Sequence, residues 1–195
     1  MTEAAAGPLK RTPLHALHRE LGARLVSFAG YEMPVQYPTG ILAEHAQTRS
    51  AAGLFDVSHM GQVRLTAKPG HSAAKALEAI VPGDITGLQP GQQRYTQFTN
   101  ETGGILDDLM TTSTGDHLLL VLNAACKDAD LAHLRKHLSA SCEIEPMFSR
   151  GPARPVSLKI SAVSDWTDAS SISTPLLCRN VRAAATASSI DPPFL

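Results

Sequence analysis

The stretch RYTQFTNETGGILDDLMTTSTGDHLLLVLN, residues 94–123, decides the fold class. Three apolar runs, RYTQFT, ILDDLMTT and HLLLVLN, are separated by the short polar segments NETGG and STGD. Runs of this length and composition, joined by short loops that contain glycine, are typical of antiparallel hairpins. We therefore predict a three-stranded antiparallel meander. The glycine pair of the first loop fits a tight hairpin better than a phosphate loop, because neither GxGxxG nor GxxxxGK[ST] occurs.

Two consecutive acids, Asp107 and Asp108, lie inside the second run. Consecutive side chains of a strand point to opposite faces, so these two carboxylates cannot share one site as a paired acid and base. One of them must be buried or line a cavity, where it needs hydrogen bonds, a proton or a cationic or donor-rich ligand. Both faces carry apolar neighbours, so the pattern does not decide which acid this is. A surface acid beside a hairpin acid is the alternative that remains open.

The segments around the meander mix strands and helices. Strict alternation over residues 62–67 predicts a half-buried strand, and helical spacing predicts helices over residues 13–21, 39–52, 73–81 and 127–138. Thr12 and Thr39 are the expected caps of the first two helices, and Leu131, Leu134 and Leu138 form the apolar stripe of the last. Residues 28–40, with two prolines and two glycines, are expected to form an ordered loop. Because strands and helices do not alternate regularly, we predict an α+β fold, an antiparallel sheet with packed helices.

Composition excludes several functional classes. The 195 residues are 43% apolar, and 17 Lys and Arg balance 18 Asp and Glu without a block of like charge, so nothing favours nucleic acid or a membrane surface as partner. The longest apolar run is too short to span a bilayer, and the first residues lack a signal core, which together point to the cytoplasm. Three widely spaced cysteines without a CxxC pair indicate reduced structural thiols rather than a metal site.

Two further groups of residues invite catalytic or metal-binding interpretations. Asp56, Ser58 and His59 are the residue types of a hydrolase triad, but triads combine separate segments and no GxSxG elbow occurs. His133 and His137 lie four apart on a predicted helix, yet the glutamate of HExxH is missing. We therefore favour a solvated helix face and predict no metal site.

Four segments in order carry a resemblance: TPLHALHRELGARLVSFAGYEMPVQY, EHAQTRSAAGLFDVSHMG, RYTQFTNETGGILDDLM and LVLNAACKDADL. They resemble the aminomethyltransferases of the glycine cleavage system, the T-proteins, over about residues 11–147. This is roughly the first half of a family member, so the fold that the resemblance implies is folate-binding aminomethyltransferase-like and incomplete. It implies N-terminal helices and a loop of the folate-binding domain in residues 1–53 and an α+β subdomain with the meander in residues 54–147. Residues 148–195 depart from the family pattern, and we expect a poorly ordered tail.

The resemblance also implies a reaction. The aminomethyl group carried by the lipoyl arm of the partner H-protein would move to tetrahydrofolate with release of ammonia. Asp108 matches the family's catalytic aspartate beside the reactive nitrogens of the pterin, and Met60, Tyr95, Met110 and Asn123 match positions that line the folate pocket. Without the resemblance, the methionines are equally well explained as core, the tyrosine as a strand aromatic and the asparagine as a helix cap.

Two other functions remain open. The chain could be a noncatalytic folate-binding module or an inactive truncated fragment of the same family. It could also be a portion of a sarcosine- or dimethylglycine-oxidising enzyme, or of a folate-dependent iron–sulfur assembly factor. The absence of a GxGxxG flavin fingerprint and of a matching cysteine motif disfavours this last pair.

Overall fold

A computed structural model describes residues 7–148 and the backbone of residues 158–162. In chain order the elements are α1 His15–Glu20, β1 Arg24–Phe28, β2 Tyr31–Gln36, α2 Ile41–Ser50, β3 Ala52–Asp56, β4 Gly61–Ala67, α3 Ala73–Glu78, β5 Gln93–Thr99, β6 Ile105–Ser113, β7 Leu118–Leu122, α4 Lys127–Leu138, β8 Cys142–Pro146 and β9 Leu158–Ala162. They fall into two compact units, which comprise residues 7–59 with 158–162 and residues 60–148 of the described chain.

The division into segments 1–53, 54–147 and 148–195 stays a prediction. Within the last segment the structure describes residue 148 and strand β9, and the expectation of a poorly ordered tail otherwise concerns residues that lie outside the described ones. Within the described part, none of the helices combines the length and apolarity that crossing a membrane requires.

The first unit contains two small antiparallel sheets, β1–β2 and β3–β9. The prediction of a loop over residues 28–40 is wrong, because β1 and β2 form a hairpin there. Ala29 and Gly30 both have positive φ, 49° and 78°, as a two-residue turn between twisted strands requires. Pro34 pairs with Leu25 beside an irregularity in the register. A two-stranded sheet tolerates this proline because both of its strands are edges.

Helices α1 and α2 confirm two predicted helices, although both begin later than predicted and neither threonine caps its helix with a side-chain hydrogen bond. The apolar residues at the start of α2 do not face the protein interior. Ile41 and Leu42 are 53% and 85% exposed, and no residue of α2 is buried. The half-buried Glu44 instead faces the segment after β2, where its Oε1 accepts a hydrogen bond from the backbone N–H of Tyr37 at 2.6 Å.

The second unit is a five-stranded antiparallel sheet in the order β5-β6-β7-β4-β8. The predicted meander is confirmed as β5–β6–β7, while β8 was not predicted. One face of the sheet forms a continuous core with α3 and α4, whose fully buried side chains are Val63, Leu65, Leu77, Phe98, Leu120, Leu122 and Leu134. The apolar stripe predicted for α4 is buried as expected. The α+β class, with an antiparallel sheet and packed helices, is therefore confirmed.

Candidate functional site

Strand β6 carries Asp107 and Asp108 to opposite faces of the sheet, as alternation predicts. Asp107 pairs across the strands with Phe98, which is fully buried, and so lies on the core face. Asp108 pairs with Gln97 and lies on the other face, called the open face below. Both acids are half-buried. The acid that turns toward the packed core is thus the first of the two.

Asn123 connects the two acids at the end of β7. Its Nδ2 lies 2.9 Å from Asp108 Oδ1, 3.2 Å from the Asp108 carbonyl oxygen and 3.2 Å from Asp107 Oδ1. The backbone carbonyl of Asn123 accepts the N–H groups of Cys126 and Lys127 as α4 begins. The strand register and this turn together fix the position of the amide, so Asp108 and Asn123 come together as a carboxylate–amide pair.

Tyr95 and Met110 are cross-strand partners on the open face, two positions along β6 from Asp108. The Tyr95 side chain is 57% exposed and Met110 is half-buried. Met60 directly precedes β4, whose first residue, Gly61, pairs with Leu122. Continuing that register puts Met60 beside Asn123. An aromatic and thioether surface therefore borders a carboxylate and an amide on the open face.

The hairpin that joins β5 and β6 is held by the side chain of Asn100. Its Oδ1 accepts hydrogen bonds from the backbone N–H groups of Thr102 and Gly104 at 3.1 and 2.8 Å. Gly103 has a φ of 79°, which favours glycine, and a Cβ on Gly104 would lie 2.8 Å from the Asn100 side chain. The prediction that the glycine pair belongs to a tight hairpin is confirmed.

A cluster on the core side of Asp107 was not predicted. Asp130, in the first turn of α4, is only 4% exposed, and burial followed by the negative charge of Asp107 raises its pKa to about 7. Burial, and then the charge of Asp107, also raises the pKa of the Cys126 thiol. A signal was present in the sequence, since Asp130 lies on the same helical stripe as Leu134 and Leu138.

The first unit has a polar network of its own. His18 Nε2 lies 2.9 Å from Asp56 Oδ2, and its Nδ1 lies 2.7 Å from the Tyr37 hydroxyl. Burial alone would raise the pKa of Asp56, but hydrogen bonds from Ser58 and His18 outweigh it and lower the pKa. Asp56 thus contacts His18 and the Ser58 N–H, whereas the His59 ring lies against Phe28 and Tyr31. The described contacts give Asp56 and His59 different partners and so lend the disfavoured triad of Asp56, Ser58 and His59 no support.

Two further features do not coincide with the predicted site. The rings of His133 and His137 are 4.6 Å apart, but no three His, Cys, Asp or Glu side chains among the described residues are placed to hold a metal ion. A surface cavity of about 550 Å³ is lined by Pro8, Leu9, Arg11 and Glu32 of the first unit and contains none of the predicted site residues.

Comparison with known proteins adds to this geometry. The family described as "GCVT N-terminal domain" matches residues 14–151. The mitochondrial aminomethyltransferase of Dictyostelium discoideum is 46% identical over 143 residues, which are 73% of this chain and 35% of that protein. The aminomethyltransferase of Rubrobacter xylanophilus is 49% identical over 145 residues, 74% of this chain and 38% of that protein.

A crystal structure of the glycine cleavage system aminomethyltransferase T from Bartonella henselae superimposes with a TM-score of 0.70 at 38% identity, over 78% of this chain and 40% of that one. The chain thus spans well under half the length of these relatives. On sequence and fold together, it belongs to the aminomethyltransferase family through the GCVT N-terminal domain.

Proposed function

We propose that the chain contributes the N-terminal part of a tetrahydrofolate-dependent aminomethyltransferase of glycine cleavage. The donor is the aminomethyl group on the lipoyl sulfur of H-protein, and tetrahydrofolate is the acceptor. The carbon exchanges its bonds to sulfur and to the amine for bonds to two folate nitrogens. The two protons that leave those nitrogens end on the sulfur and on the departing ammonia.

The observation that carries the proposal is the pairing of Asp108 with Asn123 beside Tyr95 and Met110. A reduced pterin has a flat ring face and a polar edge rich in N–H groups. An exposed tyrosine with a neighbouring thioether suits the ring face, and a carboxylate held by an amide suits the edge. Met60 would complete this surface from the start of β4. The residues present therefore fit one side of the pterin.

In this proposal Asp108 is the catalytic residue. As a carboxylate it accepts hydrogen bonds from folate N–H groups and stabilises positive charge that develops at nitrogen during transfer. Asn123 Nδ2, 2.9 Å from Asp108 Oδ1, keeps one carboxylate oxygen fixed and leaves the other for substrate. Losing a preorganised group of this kind typically slows an enzyme by about 10²-fold or more.

The alternative is a noncatalytic folate-binding module or an inactive fragment. The chain covers 35–40% of the length of the relatives compared above, so the activity of the whole protein is a proposal for this chain. Binding without turnover would be the signature of that alternative.

The experiment measures two quantities on the full chain. Tetrahydrofolate binding is followed by calorimetry, and ammonia release is followed with aminomethylated lipoyl H-protein. Asp108→Asn keeps the shape of the side chain and removes its charge. Glu101→Gln is the matched control, because Glu101 is an exposed acid in the hairpin between β5 and β6, the strand that carries Asp108.

We expect ammonia release to fall about 10²-fold in Asp108→Asn and to stay unchanged in Glu101→Gln. Equal rates in the two variants would refute the role of Asp108. Tetrahydrofolate binding by the unmodified chain without any ammonia release would select the binding module.

A further inference from the structure

The acids that the proposed reaction does not use lie behind Asp108, on the core face of the sheet. Asp107 shares that face with Phe98 and Leu109, both buried. Asp130 projects toward it from the first turn of α4 and is 4% exposed. Burial, and then the charge of Asp107 and a side-chain hydrogen bond to it, raise the pKa of Asp130, so the two carboxyl groups are neighbours.

Each carboxyl group keeps one buried oxygen without a donor. Asp107 Oδ2 and Asp130 Oδ2 have no hydrogen-bond partner, whereas Asp107 Oδ1 accepts from Asn123. An ionised carboxylate can only accept, so neither oxygen can satisfy the other while both groups are charged. A single proton changes this, because a carboxylic acid donates a short, strong hydrogen bond to a neighbouring carboxylate.

Burial and the charges of Asp107 and Asp108 all favour the protonated form of Asp130. Asp108 adds a third carboxylate from β6, and burial with the charge of Asp107 raises the pKa of the Cys126 thiol, which keeps the thiol neutral. Burial, followed by the charges of His137 and Lys136, lowers the pKa of His133 on α4. The ammonium of Lys127, on the same helix, lies 5.1 Å from the centre of the Phe148 ring. Asp130 is buried and Asp107 is half-buried with a buried Oδ2, and two like charges in such a place retain a proton.

The amide of Asn123 contacts both Asp107 of this pair and Asp108 on the open face, so it couples the protonation of the pair to the position of Asp108. Its Nδ2 carries two hydrogens and lies within 3.2 Å of three acceptors, two on Asp108 and one on Asp107. The hydrogen that Asp107 takes is not available to Asp108. If Asp130 ionised, Asp107 Oδ2 would lose its donor and the Asp107 carboxylate would be repelled, so the competition for the amide would change.

We propose that Asp107 and Asp130 hold one proton between them, and that Asp130 is a positioning residue which sets the orientation of the Asn123 amide and, through it, of Asp108. The shared proton is a property of the fold and does not depend on the proposed function. The consequence for Asp108 rests on that function.

The test of the shared proton is a carboxyl titration by NMR of the full chain with ¹³C-labelled aspartate. We expect one aspartate signal to titrate near pH 7 in the unmodified chain, far above the ordinary value of about 4. That titration should vanish in Asp130→Asn and persist in Asp128→Asn, an exposed acid of the same helical turn. If every aspartate carboxyl titrates below about pH 5, the ordinary range, the shared proton is refuted.

The positioning role has a readout that needs no turnover. The side-chain NH₂ signals of Asn123 in a ¹⁵N spectrum should shift with the same midpoint as the carboxyl titration. They should become independent of pH in Asp130→Asn, whose amide can donate to Asp107 as the acid does. Below the midpoint of that titration, the Asn123 signals of Asp130→Asn should lie near those of the unmodified chain. The signals of Asp130→Ala should differ from them.

If the Asn123 signals do not shift over the pH range of the carboxyl titration, the positioning role is refuted, whereas the shared proton is still supported. A chain that shows both titrations and releases no ammonia would contradict the proposed function and support this inference.

Discussion

Replacing Asp130 by asparagine should make the stability of the protein less dependent on pH, with a sign fixed by the direction of the pKa shift. The folded-state pKa of Asp130 is raised from 3.8 to about 7, chiefly by burial and then by Asp107. Between these two values the folded protein keeps a proton that the unfolded chain has released. Stability that is fully present below pH 3.8 is therefore lost as the pH rises to about 7, and the loss then levels off.

The size of the loss follows from the shift. Each pH unit corresponds to about 1.4 kcal/mol, so a rise from 3.8 to about 7 corresponds to about 4 kcal/mol. Asparagine has nearly the shape of the protonated acid and cannot ionise. The free energies of unfolding of the two proteins should thus agree near pH 4, and the variant should be more stable by about 4 kcal/mol at pH 8.

Urea unfolding at one-unit steps from pH 4 to pH 8 measures this difference. The difference between the two proteins is the informative quantity, because His133 titrates in both and cancels. Its pKa is lowered by burial, so by itself it adds stability that is lost as the pH falls. Asp128→Asn, on the same turn of α4, controls for the loss of an acid near the helix N-terminus. A difference that stays flat from pH 4 to pH 8 would refute the assignment of the proton to this pair.

Two other predictions concern the core and the thiol beside it. Leu134→Ala, at a fully buried position of α4, should lower the free energy of unfolding by about 2–5 kcal/mol. Leu119→Ala replaces a half-buried leucine on the opposite face of the sheet and should lower it by less. Urea unfolding of both variants measures these losses, and equal losses would contradict the burial of Leu134 between α4 and the sheet. Alkylation of Cys126 by iodoacetamide, followed by mass spectrometry, should reach half its maximal rate at a higher pH than in a free cysteine peptide, because burial and Asp107 raise the pKa of the thiol; Asp107→Asn should lower that pH, and an unchanged midpoint would exclude the charge of Asp107 as a cause.

Sequence patterns predicted the elements whose own residues carry a clear period. The meander β5–β6–β7 needs only short loops, and alternation with glycine-containing turns is enough to reveal it. The stripe of α4 is likewise local. The hairpin β1–β2 was missed because two prolines suggested a loop, whereas the turn depends on Ala29 and Gly30 adopting positive φ. Strands β3 and β8 were missed because each is only five residues long, too short for a period to stand out, whereas alternation over residues 62–67 revealed β4 although its partners are distant.

The candidate site shows the same limit. Alternation was sufficient to separate Asp107 from Asp108, but not to say which lies on the core face, because that depends on which face α3 and α4 cover. The positions matched by resemblance, Tyr95, Met110 and Asn123, lie on or beside the face of Asp108 in the structure, and their role in binding stays a proposal. Asp130 was missed because an acid in the first turn of a helix is ordinarily explained by the helix dipole. Its significance comes from Asp107, which is 23 positions away.

The sheet itself explains why a chain can place two acids side by side inside an apolar run. One peptide unit separates Asp107 from Asp108, yet the sheet gives each a different environment. Asp107 meets Asp130 in a buried cluster with unsatisfied oxygens, and Asp108 meets the open face and the Asn123 amide. Two anions on the same face would repel each other, whereas opposite faces allow one to keep a proton nearby and the other to stay free for a donor-rich ligand. Because Asn123 contacts both, the protonation of the core pair and the orientation of Asp108 cannot vary independently.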